Sequence, residues 1–170
     1  IDDPELKGDF SINGDTLVVY GDIDIGFSGR FRDALESHPD VVQVALGSAG
    51  GSVYDALLAG LEIRDRGLDT TLHGPCFSAC PLVFMGGVKR TIWMGPGPHL
   101  GFHRVYNSSG ETPLSDEVYM EITNYLLRMG INPATVLGWM IKAGQYEIYE
   151  PPLDELCPPK VATWVQRICY

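Results

Sequence analysis

The chain has 170 residues, 45% of them hydrophobic and 20% charged, with a formal net charge of -10. Such a length suits one globular domain spanning residues 1–170 with a single sizeable core. Two classes are disfavoured at once. Nucleic acid is not an expected partner, because phosphate neutralisation needs clustered cations and the 12 Lys and Arg residues are scattered. A transmembrane helix is not expected either, since no apolar run approaches about 18 residues. The opening "IDDPELKGDF" carries no signal-peptide pattern and reads as a mature N-terminus or a trimmed chain, compatible with a removed leader or anchor.

Taken in chain order, "DTLVVYGDI" is a β-branched run closed by a Gly-Asp turn and predicts a strand. "SGRFRDALESHPD" predicts a helix with Ser28 as its N-cap, Phe31, Ala34 and Leu35 on one face, and a stop near Pro39. "VVQVAL" is a buried strand and "GSAGG" a glycine-rich turn. A second helix follows over "SVYDALLAGLEIRDRG", with Val53, Ala56, Leu57, Leu61 and Ile63 apolar and Gly67 at its C-terminal end. "LDTTLHG" is a strand, "SACPLVFMGG" a short helix, and "VKRTIWMGPGPHLGFHRV" two short strands around a Pro-Gly turn. "NSSGETP" reads as a polar, flexible connection. Helical periodicity then runs from about Ser115 to Ala143, and the tail carries a short strand, a Pro-rich turn and a last apolar segment. Strands alternating with helices mean repeated βαβ units, hence an α/β fold with a mainly parallel sheet covered by helices.

Three features carry possible chemistry. "GSAGGS" follows a strand and precedes a helix. Consecutive glycines turn the backbone tightly and expose N–H groups, and the helix start adds partial positive charge. A phosphate, a carboxylate or a developing oxyanion suits such a site. Neither GxGxxG nor GxxxxGK[ST] occurs, so a nucleotide loop is not expected. Ser78, in "GPCFSACPLVFMGG", stands at a strand-to-helix junction, where a hydroxyl is an N-cap or a nucleophile beside oxyanion-stabilising N–H groups. His103, in "HLGFHRV", is a general-base candidate provided it lies within hydrogen-bond reach of Ser78.

Four cysteines allow three pairings. Cys76 with Cys80 and Cys157 with Cys169 are the local pairs, and an even count of local pairs favours an oxidising compartment. Around Ser78 the alternatives are a bridge or two packed thiols. His38, His73, His99 and His103 form no ligand pattern with the cysteines, so no metal and no cofactor are expected.

The order glycine turn, serine at a helix start, histidine at a strand end resembles the Clp protease proteolytic subunit and its crotonase-like relatives. The matching stretches are "GSAGGSVYDALLAG", "TTLHGPCFSACPLVFMGGVKR" and "HLGFHRV", covering Thr16 to His103. "CFSAC" looks closer to predicted periplasmic Clp-like proteins than to the cytoplasmic protease. The resemblance implies a serine peptidase acting on a peptide or protein substrate. Ser78 would be the nucleophile and His103 the general base, with backbone N–H groups of Gly51, Gly50 being the alternative, and of Ala79 as the oxyanion hole. It also implies a homo-oligomer assembled through the helical region, and a periplasmic or otherwise extracytoplasmic location, with a cytoplasmic one as the alternative. Ala49 replaces the family's proline. The family's third triad member, an Asp, has no match in "AGQYEIYEPPLDEL". Glu147 is the favoured carboxylate, with Gln145, Glu150 and Asp154 as the other polar candidates. An incomplete triad would give a catalytically impaired binding or assembly module instead. A crotonase-type acyl-CoA enzyme is the third, lowest-ranked possibility.

Overall fold

β-Branched and leucine-rich runs build the sheet, and their burial shows where each strand sits. The computed structural model describes residues 8–170, so the segment read above as a processed N-terminus lies largely outside the described residues. Strands β1 (Asp9–Asn13), β2 (Thr16–Tyr20), β3 (Gln43–Ser48), β4 (Asp69–Phe77), β5 (Arg90–Ile92), β6 (His99–Gly101) and β9 (Trp164–Val165) form one seven-stranded sheet. Its order is β1-β2-β3-β4-β5-β9, with β6 also pairing β4. Every pairing is parallel except the β1–β2 hairpin. β3 is central, and Val44, Ala45 and Leu46 are buried in succession, as expected for a strand covered on both faces.

Helices α1 (Phe27–Ser37), α2 (Val53–Asp65) and α3 (Cys80–Phe84) follow β2, β3 and β4, giving the predicted βαβ order. α1 packs on α2, and α2 on α3. Helices α4 (Glu117–Arg128) and α5 (Pro133–Ile141) pack on each other after a small hairpin, β7 (Tyr106–Asn107) with β8 (Gly110–Glu111). No helix among the described residues is long and apolar enough to cross a membrane.

Two local expectations are corrected and one strand is added. The α1 cap is Gly26, at φ +93°, not Ser28. Ser28 lies inside the helix, and its N–H and hydroxyl donate to Asp55 Oδ1 at 3.0 and 2.8 Å. A carboxylate 27 residues away outcompetes the local cap. The stretch "NSSGETP" is not a flexible connection but contributes to the β7–β8 hairpin. β1 is an added strand on the sheet edge.

β4 pairs differently along its length. Thr70 and Thr71 align with Arg90 and Thr91 of β5, while Pro75, Cys76 and Phe77 align with His99, Leu100 and Gly101 of β6. One edge of one nine-residue strand therefore serves two partners in turn. The Pro-Gly segment between β5 and β6 carries the chain from one to the other. As a result β4 and β6 end side by side at their carboxyl ends, where ligands bind in open α/β sheets.

Arg90 fixes the C-terminal tail to this sheet. It is 4% exposed, and its guanidinium donates to the carbonyls of Gly87, Val161 and Lys160 at 2.7, 3.1 and 2.6 Å. Burial, with nearby Arg64 second, lowers its pKa to about 10, so it remains a cation at neutral pH. Replacing Arg90 by Met strands these carbonyls without a donor. Arg90→Met is expected to lose about 3 kcal/mol of stability, read as a lower urea midpoint with an unchanged slope.

Candidate active site

The site begins at the end of β4, where the chain must turn sharply into α3. Ser78 makes that turn at φ +62°, a left-handed conformation uncommon for a residue with a Cβ. Its N–H still donates to the Gly101 carbonyl at 3.1 Å, continuing the β4–β6 ladder one residue further. The elbow thus comes from strand pairing on one side and helix entry on the other. A disulfide between Cys76 and Cys80, with Cα atoms 5.2 Å apart, spans it. Cys76 belongs to the strand and Cys80 opens the helix, so the bridge ties strand to helix. Cys157 and Cys169 pair in the tail, with Cα atoms 6.0 Å apart.

The β6 ladder delivers His103 to the same place. Phe102 and Tyr149 exchange two backbone hydrogen bonds of 2.8 Å, and the Arg104 N–H donates to the Ala143 carbonyl at 3.0 Å. His103 is held between these two attachments and is 7% exposed. Its Nε2 lies 2.6 Å from Ser78 Oγ. The hydroxyl donates and the nitrogen accepts when the ring carries its proton on Nδ1.

Burial is the largest influence on this imidazole and pulls its pKa below the ordinary histidine value. The backbone of Gln145 and the charge of Glu111 act the other way, and burial outweighs them. Neither supplies a hydrogen bond of ordinary geometry to Nδ1, which is buried without a partner, as is Gln145 Oε1. His103 is therefore neutral, and able to accept a proton, to lower pH than a free imidazole.

The glycine turn faces this pair. Ile23 donates its N–H to the Gly50 carbonyl at 2.8 Å and accepts from the Ser52 N–H at 2.7 Å. Ser52 caps α2: its Oγ accepts from the Asp55 N–H at 3.1 Å and donates to Asp55 Oδ2 at 2.8 Å. Gly50 and Gly51 hold φ of +102° and +144°. Gly50 packs directly under the elbow, where a Cβ would lie 2.5 Å from Ser78 Cβ and 2.9 Å from the Ala79 nitrogen. Its N–H donates to Ser48 Oγ at 3.1 Å, so it is not free to hold an oxyanion. Gly51 and Ala79 differ. Among the described residues no acceptor engages either N–H, and both line one cleft with Ser78 and His103. This cleft measures about 230 Å³, and Val53, Leu82 and Met140 give it an apolar wall.

The carboxylate expected behind His103 is placed less directly. Glu147 is exposed, its N–H donates to the Gly144 carbonyl, and no hydrogen bond joins it to His103. Glu150 lies 3.4 Å from His99 instead, and Asp154 sits in a 3₁₀ turn (Leu153–Glu155) of the tail. Among the described residues no lysine lines the cleft: Lys142 is over the Tyr149 ring, and Lys89 is on an exposed turn whose N–H donates to Asp69. The acidic group whose charge acts on His103 is Glu111, on the hairpin that sequence reading took for a flexible connection.

This architecture, a mainly parallel sheet flanked by helices, is the ClpP-like fold. Among solved structures, a ClpP1 variant from Listeria monocytogenes superposes with a TM-score of 0.67 at 12% identity, over 88% of this chain and 90% of that one. A variant of a membrane-bound stomatin-specific protease gives 0.61 at 16% identity, over 88% and 77%. The PA4980 protein of Pseudomonas aeruginosa gives 0.56 at 11%, over 97% and 79%. No protein-family model matches the chain, and no curated protein does.

Gly50 offers a direct test of how the elbow is built. Gly50→Ala adds a Cβ against Ser78 at a backbone angle that alanine avoids, costing about 1–3 kcal/mol. The variant is expected to fold, with unchanged far-UV circular dichroism, and to lose covalent reactivity at Ser78 toward a fluorophosphonate.

Proposed function

We propose that this chain is a serine peptidase in which Ser78 attacks and His103 takes its proton. The observation that carries the reading is the 2.6 Å approach of His103 Nε2 to Ser78 Oγ, inside a cleft that also presents two unengaged backbone N–H groups. In the first step the Ser78 Oγ–H proton passes to Nε2 while Oγ bonds to the substrate's carbonyl carbon. The carbonyl oxygen becomes an oxyanion, received by the N–H groups of Gly51 and Ala79. The imidazolium then returns the proton to the leaving amine as the C–N bond breaks. Water, deprotonated by the same nitrogen, releases the acyl group and restores Ser78.

The substrate class is a peptide or protein. Two disulfides with no free cysteine support an oxidising, extracytoplasmic setting such as the periplasm. Assembly into a homo-oligomer is part of the same proposal, on the strength of the fold. A second reading, a Clp-like binding or assembly module without hydrolysis, is favoured by one observation: His103 Nδ1 is buried with no partner. A ring whose tautomer is not fixed is a poorer base.

A fluorophosphonate probe separates the two. A single adduct on Ser78 is expected, absent in Ser78→Ala and slowed about 10²–10⁴-fold in His103→Ala. Because burial depresses the His103 pKa, protonation inactivates the base only at lower pH. The acid limb of the labelling rate is therefore expected to have its midpoint below about 6.5, the ordinary imidazole value. No adduct anywhere between about pH 6 and 9 would leave the binding-module reading.

A further inference from the structure

Ser78 fills the Nε2 side of His103, and the turn around Gly144 and Gln145 faces the other side. That turn is held from a different element. Glu111, at the end of β8, accepts the Gln145 N–H on Oε2 at 3.0 Å. The approach depends on Gly144, where a Cβ would lie 3.0 Å from the same oxygen. Arg104, next in sequence to His103, brings a guanidinium nitrogen to 4.0 Å from Glu111 Oε1, and its Nε and other terminal nitrogen donate to the Ile141 carbonyl at 3.2 and 3.1 Å. One carboxylate thus joins the hairpin, the turn behind the imidazole and the residue after His103. The two buried polar atoms left without partners here are His103 Nδ1 and Gln145 Oε1.

We propose that Glu111 is the positioning residue for His103: it clamps the Gly144–Gln145 turn against the imidazole and supplies the negative charge that an imidazolium needs there. The proposal rests on the serine-peptidase reading of Ser78 and His103. It moves the carboxylate's task from the loop after α5, where the family pattern places it, to the β7–β8 hairpin.

Other groups around the ring do not provide that charge. From its own segment come Arg104 and Tyr106, whose ring centroid is 5.5 Å away. α4 contributes Tyr119, whose hydroxyl accepts the Val105 N–H at 3.0 Å. The loop after α5 adds Lys142, drawn to Tyr149, and Glu147, which is exposed and makes no hydrogen bond to the ring, although its Oε1 lies 3.6 Å from where a Gly144 Cβ would be. Glu111 is the acidic residue that favours the charged ring.

Nuclear magnetic resonance titration of the His103 ring tests this without requiring activity, with His103→Gln used to assign the signal. Glu111→Gln keeps an acceptor for the Gln145 N–H but removes the charge. It is expected to lower the His103 pKa, by more than Glu147→Gln does, and to slow fluorophosphonate labelling by about tenfold. A residue that merely props the turn would leave the titration unmoved in Glu111→Gln. An unchanged His103 titration, an unchanged labelling rate, or a larger shift in Glu147→Gln would overturn the proposal. A wild-type protein that forms no adduct would remove the peptidase reading alone, because the titration still reads the coupling between Glu111 and His103.

Discussion

Everything at the site depends on how β4 ends. Its last residues pair with β6 on one side, and Ser78 continues that ladder through its N–H before turning into α3 at a positive φ. A serine in this conformation is tolerated only where its surroundings determine it from several directions. Here they do. The β6 ladder fixes the entry, α3 the exit, the Cys76–Cys80 bridge joins the two, and Gly50 packs beneath. Without a side chain at Gly50 the glycine turn packs against the elbow, and Gly51 and Ala79 line the same cleft. The same β4–β6 pairing sets the position of His103, two residues beyond the end of β6. Serine and histidine therefore come together through one strand alignment, while the glycine turn, held by Ile23, brings Gly51 to the same cleft.

The rest of the fold serves that alignment at longer range. Ser52 and Asp55 cap α2 and anchor it to α1 through Ser28, which fixes the start of the helix following the glycine turn. The Arg90 guanidinium secures the tail through the Val161 and Lys160 carbonyls, and its backbone N–H donates to Thr163 Oγ1. Tyr125, buried, donates its hydroxyl to the carbonyl of Leu82, a residue of the cleft wall, and so ties α4 to α3. Its phenol is held protonated by burial. In each case a buried polar group satisfies backbone atoms that the sharp turns leave open, as close packing requires.

Sequence made the βαβ order, the elbow serine and the strand-end histidine legible, because each rests on a short pattern that the final structure preserves. β2 is a β-branched run, β3 and β4 begin in short apolar or threonine-rich stretches, and α2 follows a helical period with a Ser-x-x-Asp start. β1 was not legible, since "DFSIN" offers only two apolar residues, Phe10 and Ile12, in a short alternation whose side chains are mostly exposed. The β7–β8 hairpin escaped for a related reason: its strands are two residues each and polar, and they are held by contacts with other elements. Glu111 was hidden with it, because its partner Gln145 is 34 residues away. Ser28 looked like a cap for want of the carboxylate, 27 residues on, that takes its hydroxyl. Sequence favoured Gly51 with Gly50 as the alternative, and the hydroxyl of Ser48, which takes the Gly50 N–H, gives the physical reason.

The central claim is that Ser78, His103 and the N–H groups of Gly51 and Ala79 form one acyl-transfer centre. A crystal structure of the protein after reaction with a small fluorophosphonate tests it most directly. The account predicts a phosphorus–oxygen bond at Ser78 Oγ, with the phosphonyl oxygen about 2.7–3.1 Å from both N–H groups. An adduct whose oxygen turns to solvent or toward Gly50 would contradict it.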